Sequence, residues 1–312
     1  MDITVAICTY NGEDRVPEVL DRLRRQRGVD DIRWEILVVD NNSTDETSAR
    51  VQKYQDAWRD TVPLRYLFEA RQGKSYAIEM AVQESKGEWI AFLDDDNLPA
   101  PDWIAAVHRF AEQRPHAGVF GGQIHGLFEE EPPATFGLVK PLFALNERTE
   151  TVCYSSDGSL EFAAPGAGLV VRKQAWVESV PETGLHLRGP TGAMRGSLGE
   201  EFELQWCIYQ QGWEIWHNPE MHLQHKIPAS RFEEDYLDDF FKAIGLSRHY
   251  TRMMRLEPWK RPFATVAYWG GDLWKLLRLG WTYRAKIATD RFVRGRARMR
   301  LYALVAPFRW RY

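Results

Sequence analysis

The sequence predicts an α/β fold, a mostly parallel sheet with flanking helices, followed by a helical carboxyl-terminal region. Three observations predict it. Short apolar runs alternate with helix-periodic segments through the first hundred residues, the pattern of successive βα units. Each apolar run ends in polar residues, as parallel strands do where they meet a ligand crevice. The fourth run, Trp89 to Leu93, is apolar on both faces and runs into Asp94-Asp95-Asp96.

Ile3 to Cys8 reads as the first buried strand, and the loop Thr9-Tyr10-Asn11-Gly12 follows it. A helix then starts near Asp14, with Pro17 in its first turn and Val16, Leu20 and Leu23 at helical spacing. Glu35 to Val39 reads as a second strand ending at Asp40. The capping-rich loop Asn41 to Asp45 leads to a helix carrying Val51, Tyr54 and Trp58. Leu64 to Phe68 is a third strand, and the turn Arg71-Gln72-Gly73-Lys74 opens a helix that Ser75 should cap. After the acidic run come a helix over Asp102 to Gln113 and strands over Gly118 to Ile124 and Leu169 to Val171. Gly184 to Gly199 reads as a flexible loop, Glu200 to Gln211 as a helix, and Trp213 to His217 and Met221 to His225 as two short strands. Beyond Ser230 the pattern stays helical. The organisation expected is a domain over 1–229 and a basic, Trp-rich helical region over 230–312.

Length and composition set outer limits. The chain has 312 residues, 44% hydrophobic and 27% charged, ordinary values for a globular protein. The formal net charge of -4 hides an acidic first part and a basic end, and eight of the thirteen tryptophans lie from Trp206 onward. Because most of the chain is acidic, nucleic acid is not an expected partner. Cys8, Cys153 and Cys207 form no CxxC pair and read as reduced, buried thiols. No signal peptide precedes Ile3, and no apolar run reaches the roughly 18 residues that a membrane span needs. The expected location is therefore cytoplasmic, with peripheral contact at the inner face of the plasma membrane. Gly73-Lys74-Ser75 lacks the upstream glycine of a P-loop, and Gly166-x-Gly168 lacks the third glycine of a dinucleotide fingerprint.

Three adjacent carboxylates repel one another, and hard oxygen donors suit Mg or Mn, usually shared with substrate phosphates. A solvated acidic turn is the plainer alternative. In the same way, Glu200, Glu201 and Glu203 fit the first turn of a helix, where acids meet the positive end of its dipole, and Ser197 with Glu200 fits a capping box.

Taken together, these stretches resemble the family-two glycosyltransferases, inverting enzymes of the Rossmann-like GT-A fold. Val5 to Asn11 is similar to that family's first strand and nucleotide loop, and Leu37 to Asp45 to its second strand. Phe92 to Asn97 is similar to its metal-binding DxD region, Pro101-Asp102-Trp103 to the continuation. Gly199 to Leu204 with Gln211-Gly212-Trp213 is similar to its acidic motif. The likeness spans roughly Asp2 to Lys226. It implies that Thr9, Tyr10, Asn11 and Asp40 seat the nucleotide, and that Arg71, Gly73 and Lys74 approach the phosphates. It further implies that Asp94 and Asp95 contact the ribose or support the site, and that Asp96 and His225 hold the divalent metal. Glu201 would be the catalytic base and Glu200 would position the loop or acceptor. Two departures stand out: Glu200-Glu201 replaces Glu-Asp, and Ile78-Glu79 replaces Arg-Asn.

The function this implies is metal-dependent transfer, with inversion, from a nucleotide-sugar, a UDP-sugar, to a saccharide or lipid-linked acceptor in bacterial exopolysaccharide synthesis. The glycine-rich loop would help choose the acceptor. An inactive nucleotide-sugar-binding module and a GT-A-type nucleotidyltransferase are the alternatives. Leu273, Trp274, Leu277 and Trp281 can share a helix face beside Lys275, Arg278, Arg284 and Lys286, with Arg291 to Arg300 extending the charge. Such helices read as membrane-surface elements, with a helical cover packed on the first domain or a dimer contact as the alternatives.

Overall fold

The computed structural model describes residues 1–58, 62–156, 164–187 and 199–309. The chain forms two compact units. The first comprises Met1–Leu127, Ala144–His186 and Leu204–Ile227. The second comprises Phe128–Phe143, Leu187–Glu203 and Pro228–Tyr312.

The first unit opens with β1 (Ile3–Thr9), α1 (Val16–Arg24), β2 (Trp34–Asp40), α2 (Thr47–Ala57), β3 (Leu64–Phe68), α3 (Lys74–Glu84) and β4 (Trp89–Asp94). These are the elements the apolar runs predict, with boundaries shifted by a residue or two. One detail differs. Gly73, not Ser75, is the N-cap of α3 and makes no side-chain cap, because the helix begins at Lys74 and carries Ser75 inside its first turn. Next come β5 (Asn97–Pro99), α4 (Trp103–Gln113), β6 (Ala117–Phe128), β7 (Val152–Cys153), β8 (Val170–Arg172), α5 (Lys173–Ser179), α6 (Glu200–Gln210) and β9 (Glu214–Ile227).

All described strands join one nine-stranded sheet, ordered β3-β2-β1-β4-β8-β6-β9-β5, with β7 on β9. β1 pairs in parallel with β2 and β4, and β2 with β3. β8 then runs antiparallel to β4 and β6, and β5 and β7 run antiparallel to β9. The sheet is therefore mixed: its parallel part is confined to β1–β4. The two short strands expected over 213–225 are one strand of fourteen residues. Pro219 interrupts it in sequence but not in space. Its carbonyl accepts Gln123 Nε2 at 2.8 Å and Asn218 Oδ1 accepts Glu220 N–H at 3.0 Å, so side chains satisfy the local break. Ala6, Leu37, Val39, Ile90, Val119, Val171 and Ile208 are buried together in the core of this unit. Cys8, Cys153 and Cys207 form no disulfide and are half-buried rather than buried.

In the second unit, α7 (Glu234–Met253), α8 (Arg261–Thr282) and α9 (Arg291–Val305) follow one another. Phe136, Phe232 and Phe292 stand edge to face, with ring centroids 5.4–5.6 Å apart. Such aromatic geometry adds about 0.5–1.5 kcal/mol per pair beyond area burial. Gly295 lets α9 approach α7 closely, since a Cβ there would lie 2.1 Å from the Phe241 ring. Among the described residues no helix is long and apolar enough to cross a membrane.

Candidate functional site

The parallel strands carry their polar ends to one edge of the sheet. The pairing registers set Thr9 beside Asp40, and Cys8 beside Asp94. The three carboxylates at the end of β4 and just beyond it are each met by a partner from a different element. Lys74 Nζ on α3 lies 2.6 Å from Asp94 Oδ1. Arg15 binds Asp95 with both ends of its fork, Nε to Oδ1 at 2.9 Å and a terminal nitrogen to Oδ2 at 3.0 Å, and Thr9 Oγ1 donates to Oδ2 as well. Burial pushes the Asp95 carboxyl up, and the Arg15 pair offsets part of that rise. Asp96 is buried, accepts Asn97 Nδ2 on Oδ1, and has His225 Nε2 at 3.5 Å from Oδ2. Sheet pairing explains that meeting: β5 sets Asn97 opposite His225 on β9, and Lys226 N–H donates to the Asp96 carbonyl.

Gly12 is built into this arrangement. A Cβ there would lie 2.1 Å from Thr9 Oγ1 and 2.8 Å from Asp95 Oδ2. Tyr10 leaves the sheet at the end of β1 with its ring 38% exposed. Asn11 turns with positive φ, and its Oδ1 accepts from Thr44 N–H, so it ties two loops together. Asp40 is buried with both oxygens engaged: Ser43 N–H donates to Oδ1, and the Tyr66 hydroxyl donates to Oδ2 at 2.8 Å. Arg71 pairs with buried Glu69 and covers the Tyr76 ring, and the Arg71 guanidinium holds the Glu69 carboxyl below its usual range.

Asn41 shapes the 71–73 turn without having been a sequence candidate. Its Oδ1 accepts Gly73 N–H and its Nδ2 donates to the Arg71 carbonyl, both at 2.7 Å. Arg15 was also missed, although it left a signal. It is the N-cap of α1, an end where cations are unfavourable, so its place needed a nearby acid.

Glu200 and Glu201 begin α6 and fall in the second unit. Glu200 is buried and accepts Gly199 N–H at 3.2 Å, while Glu201 is half-buried. Glu203 is fixed by Leu187 N–H and the Tyr250 hydroxyl, each at 2.8 Å. Ser197 and residues 188–198 of the expected acceptor loop lie outside the described residues.

Residues 4–136 match the family model described as Glycosyl transferase family 2. That match lies in the amino-terminal part and takes in under half of the chain. Among characterised relatives, the segment is 26% identical over 127 residues to the poly(ribitol-phosphate) beta-glucosyltransferase of Bacillus spizizenii, covering 41% of this chain and 20% of that protein. It is 35% identical over 100 residues to the human dolichyl-phosphate beta-glucosyltransferase, covering 30% and 31%. The chain thus matches under two fifths of the length of either relative. By fold it is similar to the mannosyltransferase PcManGT of Pyrobaculum calidifontis, solved with GDP-Man and Mn2+. The TM-score is 0.59 at 19% identity, over 98% of this chain and 86% of that one. It is also similar to S. aureus TarS 1-349 in complex with UDP-GlcNAc, with a TM-score of 0.55 at 16% identity over 100% and 93%. The GT-A fold expected of a family 2 segment is the fold observed.

Because Asn41 satisfies two backbone groups of the 71–73 turn, Asn41→Ala should lower unfolding stability by about 1–3 kcal/mol. Urea denaturation checks this, and an unchanged midpoint would show that the turn holds itself.

Proposed function

We propose that the chain is a glycosyltransferase that moves a sugar from a nucleotide-sugar donor, a UDP-sugar, to a saccharide or lipid-linked acceptor in polysaccharide synthesis, inverting the anomeric centre. The observation that carries this reading is the row of strand-end groups Thr9, Asp40 and Asp94 to Asp96, gathered at one sheet edge within the segment that matches family 2. Relatives and neighbours named as glucosyl- and mannosyltransferases support it.

The exposed Tyr10 ring would stack on the base, while Asp40, its oxygens committed to Ser43 and Tyr66, holds the wall behind it. Arg71, Gly73 and Lys74 would face the phosphates. Asp95 fixes Arg15 and Thr9 and so supports the loop carrying Tyr10, to whose carbonyl Arg15 also donates. The residues present suit a divalent ion, Mg or Mn. Buried Asp96 and His225 offer a hard oxygen and an imidazole nitrogen within 3.5 Å. Among the described residues no third His, Cys, Asp or Glu completes a metal cluster, so substrate phosphate oxygens would fill the remaining positions. When bound, the ion supplies positive charge against the departing diphosphate.

Glu201 would take the acceptor hydroxyl's proton as that oxygen attacks, and Glu200, folded onto Gly199 N–H, would hold the start of α6. The lipid side of the reading rests on α8. Phe263, Val266, Trp274, Leu277 and Trp281 fall within an arc of about 80° at 100° per residue. All five are exposed, Trp281 by 76%. Arg278 covers Trp274 and Arg284 covers Trp281, placing cations beside the apolar stripe. An apolar stripe edged by cations matches the interface of an anionic bilayer.

Three measurements test these assignments. With Mg or Mn present, Asp96→Asn should weaken UDP binding in calorimetry and should matter little in EDTA. Equal wild-type UDP affinity with and without EDTA would remove the metal. Glu201→Gln should keep UDP affinity and lose about 10²–10⁴-fold in transfer rate. Normal turnover by Glu201→Gln beside a dead Glu200→Gln would reverse the two roles. The full chain should sediment with phosphatidylglycerol vesicles at low salt, and Trp274→Ala with Trp281→Ala should release it. Unchanged sedimentation by that double variant would reject α8 as the contact.

A further inference from the structure

Helices α7, α8 and α9 bring together more positive charge than their acids balance. Arg248 and Arg252 stand one turn apart on α7, and Arg296 and Arg300 one turn apart on α9. From α8 come Asp272, only 2% exposed, and the exposed Lys275. The Asp272 carboxylate is already shared: Arg252 donates to both of its oxygens, and Arg300 to Oδ1. Arg296 is used elsewhere, donating to the Leu138 carbonyl at 2.6 Å. By contrast, Arg294 with Glu234 and Arg298 with Asp238, on the same two helices, match one cation to one acid.

Arg248 is the residue left over. It is half-buried, and its buried Nε has no hydrogen-bond partner among the described residues. Burial, followed by repulsion from Arg252, Arg300 and Arg296, pulls its guanidinium down to about 10, with Asp272 as the opposing attraction. Lys275 is lowered by partial burial and by Arg300, Arg252 and Arg248. A guanidinium in this state is stabilised by an anion that accepts several hydrogen bonds at once. A phosphate oxyanion does this better than a single carboxylate, because its oxygens diverge toward several donors.

We propose that Arg248, together with Lys275, Arg252 and Arg300, forms a binding site for a phosphate-class oxyanion in the second unit. The chemistry is shared by free phosphate and by the headgroup of a phospholipid. The site shares no residue with the donor site proposed for the first unit and does not depend on the reaction assigned to it.

The test uses the full chain and two probes. Calorimetry with inorganic phosphate, at an ionic strength fixed with chloride, is run on the wild type, Arg248→Gln and Lys275→Gln. Sedimentation with phosphatidylcholine vesicles containing phosphatidic acid, against phosphatidylcholine alone, is run on the same set. The expected result is a loss of at least about tenfold in affinity in both variants, as removal of a charge-assisted contact gives. Loss in the calorimetric arm assigns free phosphate, and loss confined to the vesicle arm assigns the headgroup. Wild-type binding to neither probe, or variants that bind both as the wild type does, would overturn the site. Should circular dichroism show Arg248→Gln misfolded, Arg248→Lys, which keeps the charge, and Lys275→Gln carry the comparison, with retention expected in the first and loss in the second. Neither arm involves sugar transfer, so the result is independent of whether the chain is a glycosyltransferase.

Discussion

Mutual repulsion among Asp94, Asp95 and Asp96 is the constraint around which the first unit is assembled. Two unit charges about 4 Å apart interact by about 4 kcal/mol at the effective dielectric of a protein surface, so an uncompensated run of three would resist folding. Partners come from three directions: the cations Lys74 on α3 and Arg15 at the start of α1, and the imidazole of His225 on β9. Each depends on a different crossover reaching the sheet in register. The charge requirement therefore fixes the turn after β1, the turn before α3 and the pairing of β5 with β9. Gly12 follows from the same requirement, since the space its missing side chain would fill is occupied by the Thr9–Asp95 contact.

Much of this was legible in sequence because parallel strands advertise themselves. Buried on both faces, β1, β2 and β4 appear as unbroken apolar runs, and their polar ends mark the site edge. Harder to read was whatever depends on distant partners. Arg15 and Asp95 are 80 positions apart, and nothing local in either residue names the other. Asn41 read as one more loop residue among Asn, Ser and Thr, and only the fold shows its amide spanning to Gly73. The continuity of β9 was hidden for a physical reason as well. Proline removes a backbone donor and usually ends a strand, but Gln123 Nε2 donates to the Pro219 carbonyl and Asn218 Oδ1 accepts Glu220 N–H.

The carboxyl-terminal helices show the limits of charge counting in a linear sequence. Arg291 to Arg300 read as an extended basic face, yet Arg291, Arg294 and Arg298 meet Glu130, Glu234 and Asp238 within their own unit. Their charge is consumed in packing. On α8, by contrast, exposed apolar residues fall on the face opposite Asp272 and Leu279, which are buried. Burial of one face and exposure of an equally apolar other face is costly for a helix in water unless something covers it.

The two units thus pose inverse electrostatic problems. In the first, acids accumulate at a strand end, and the partners that meet them are partly exposed side chains such as Lys74 and Arg15, which a bound ligand can rearrange. In the second, arginines accumulate around Asp272, whose two oxygens are both taken, and Arg248 stays with a buried nitrogen lacking a partner. A cluster whose charges cancel internally is complete as a structural element. One whose charges do not cancel is complete only with a counterion, and the sign of the excess names the ligand's sign. On the proposals above, the carboxylate edge would take a cation together with the phosphates it accompanies, and the arginine cluster would take an anion. That opposition separates two binding chemistries on one chain without reference to any relative.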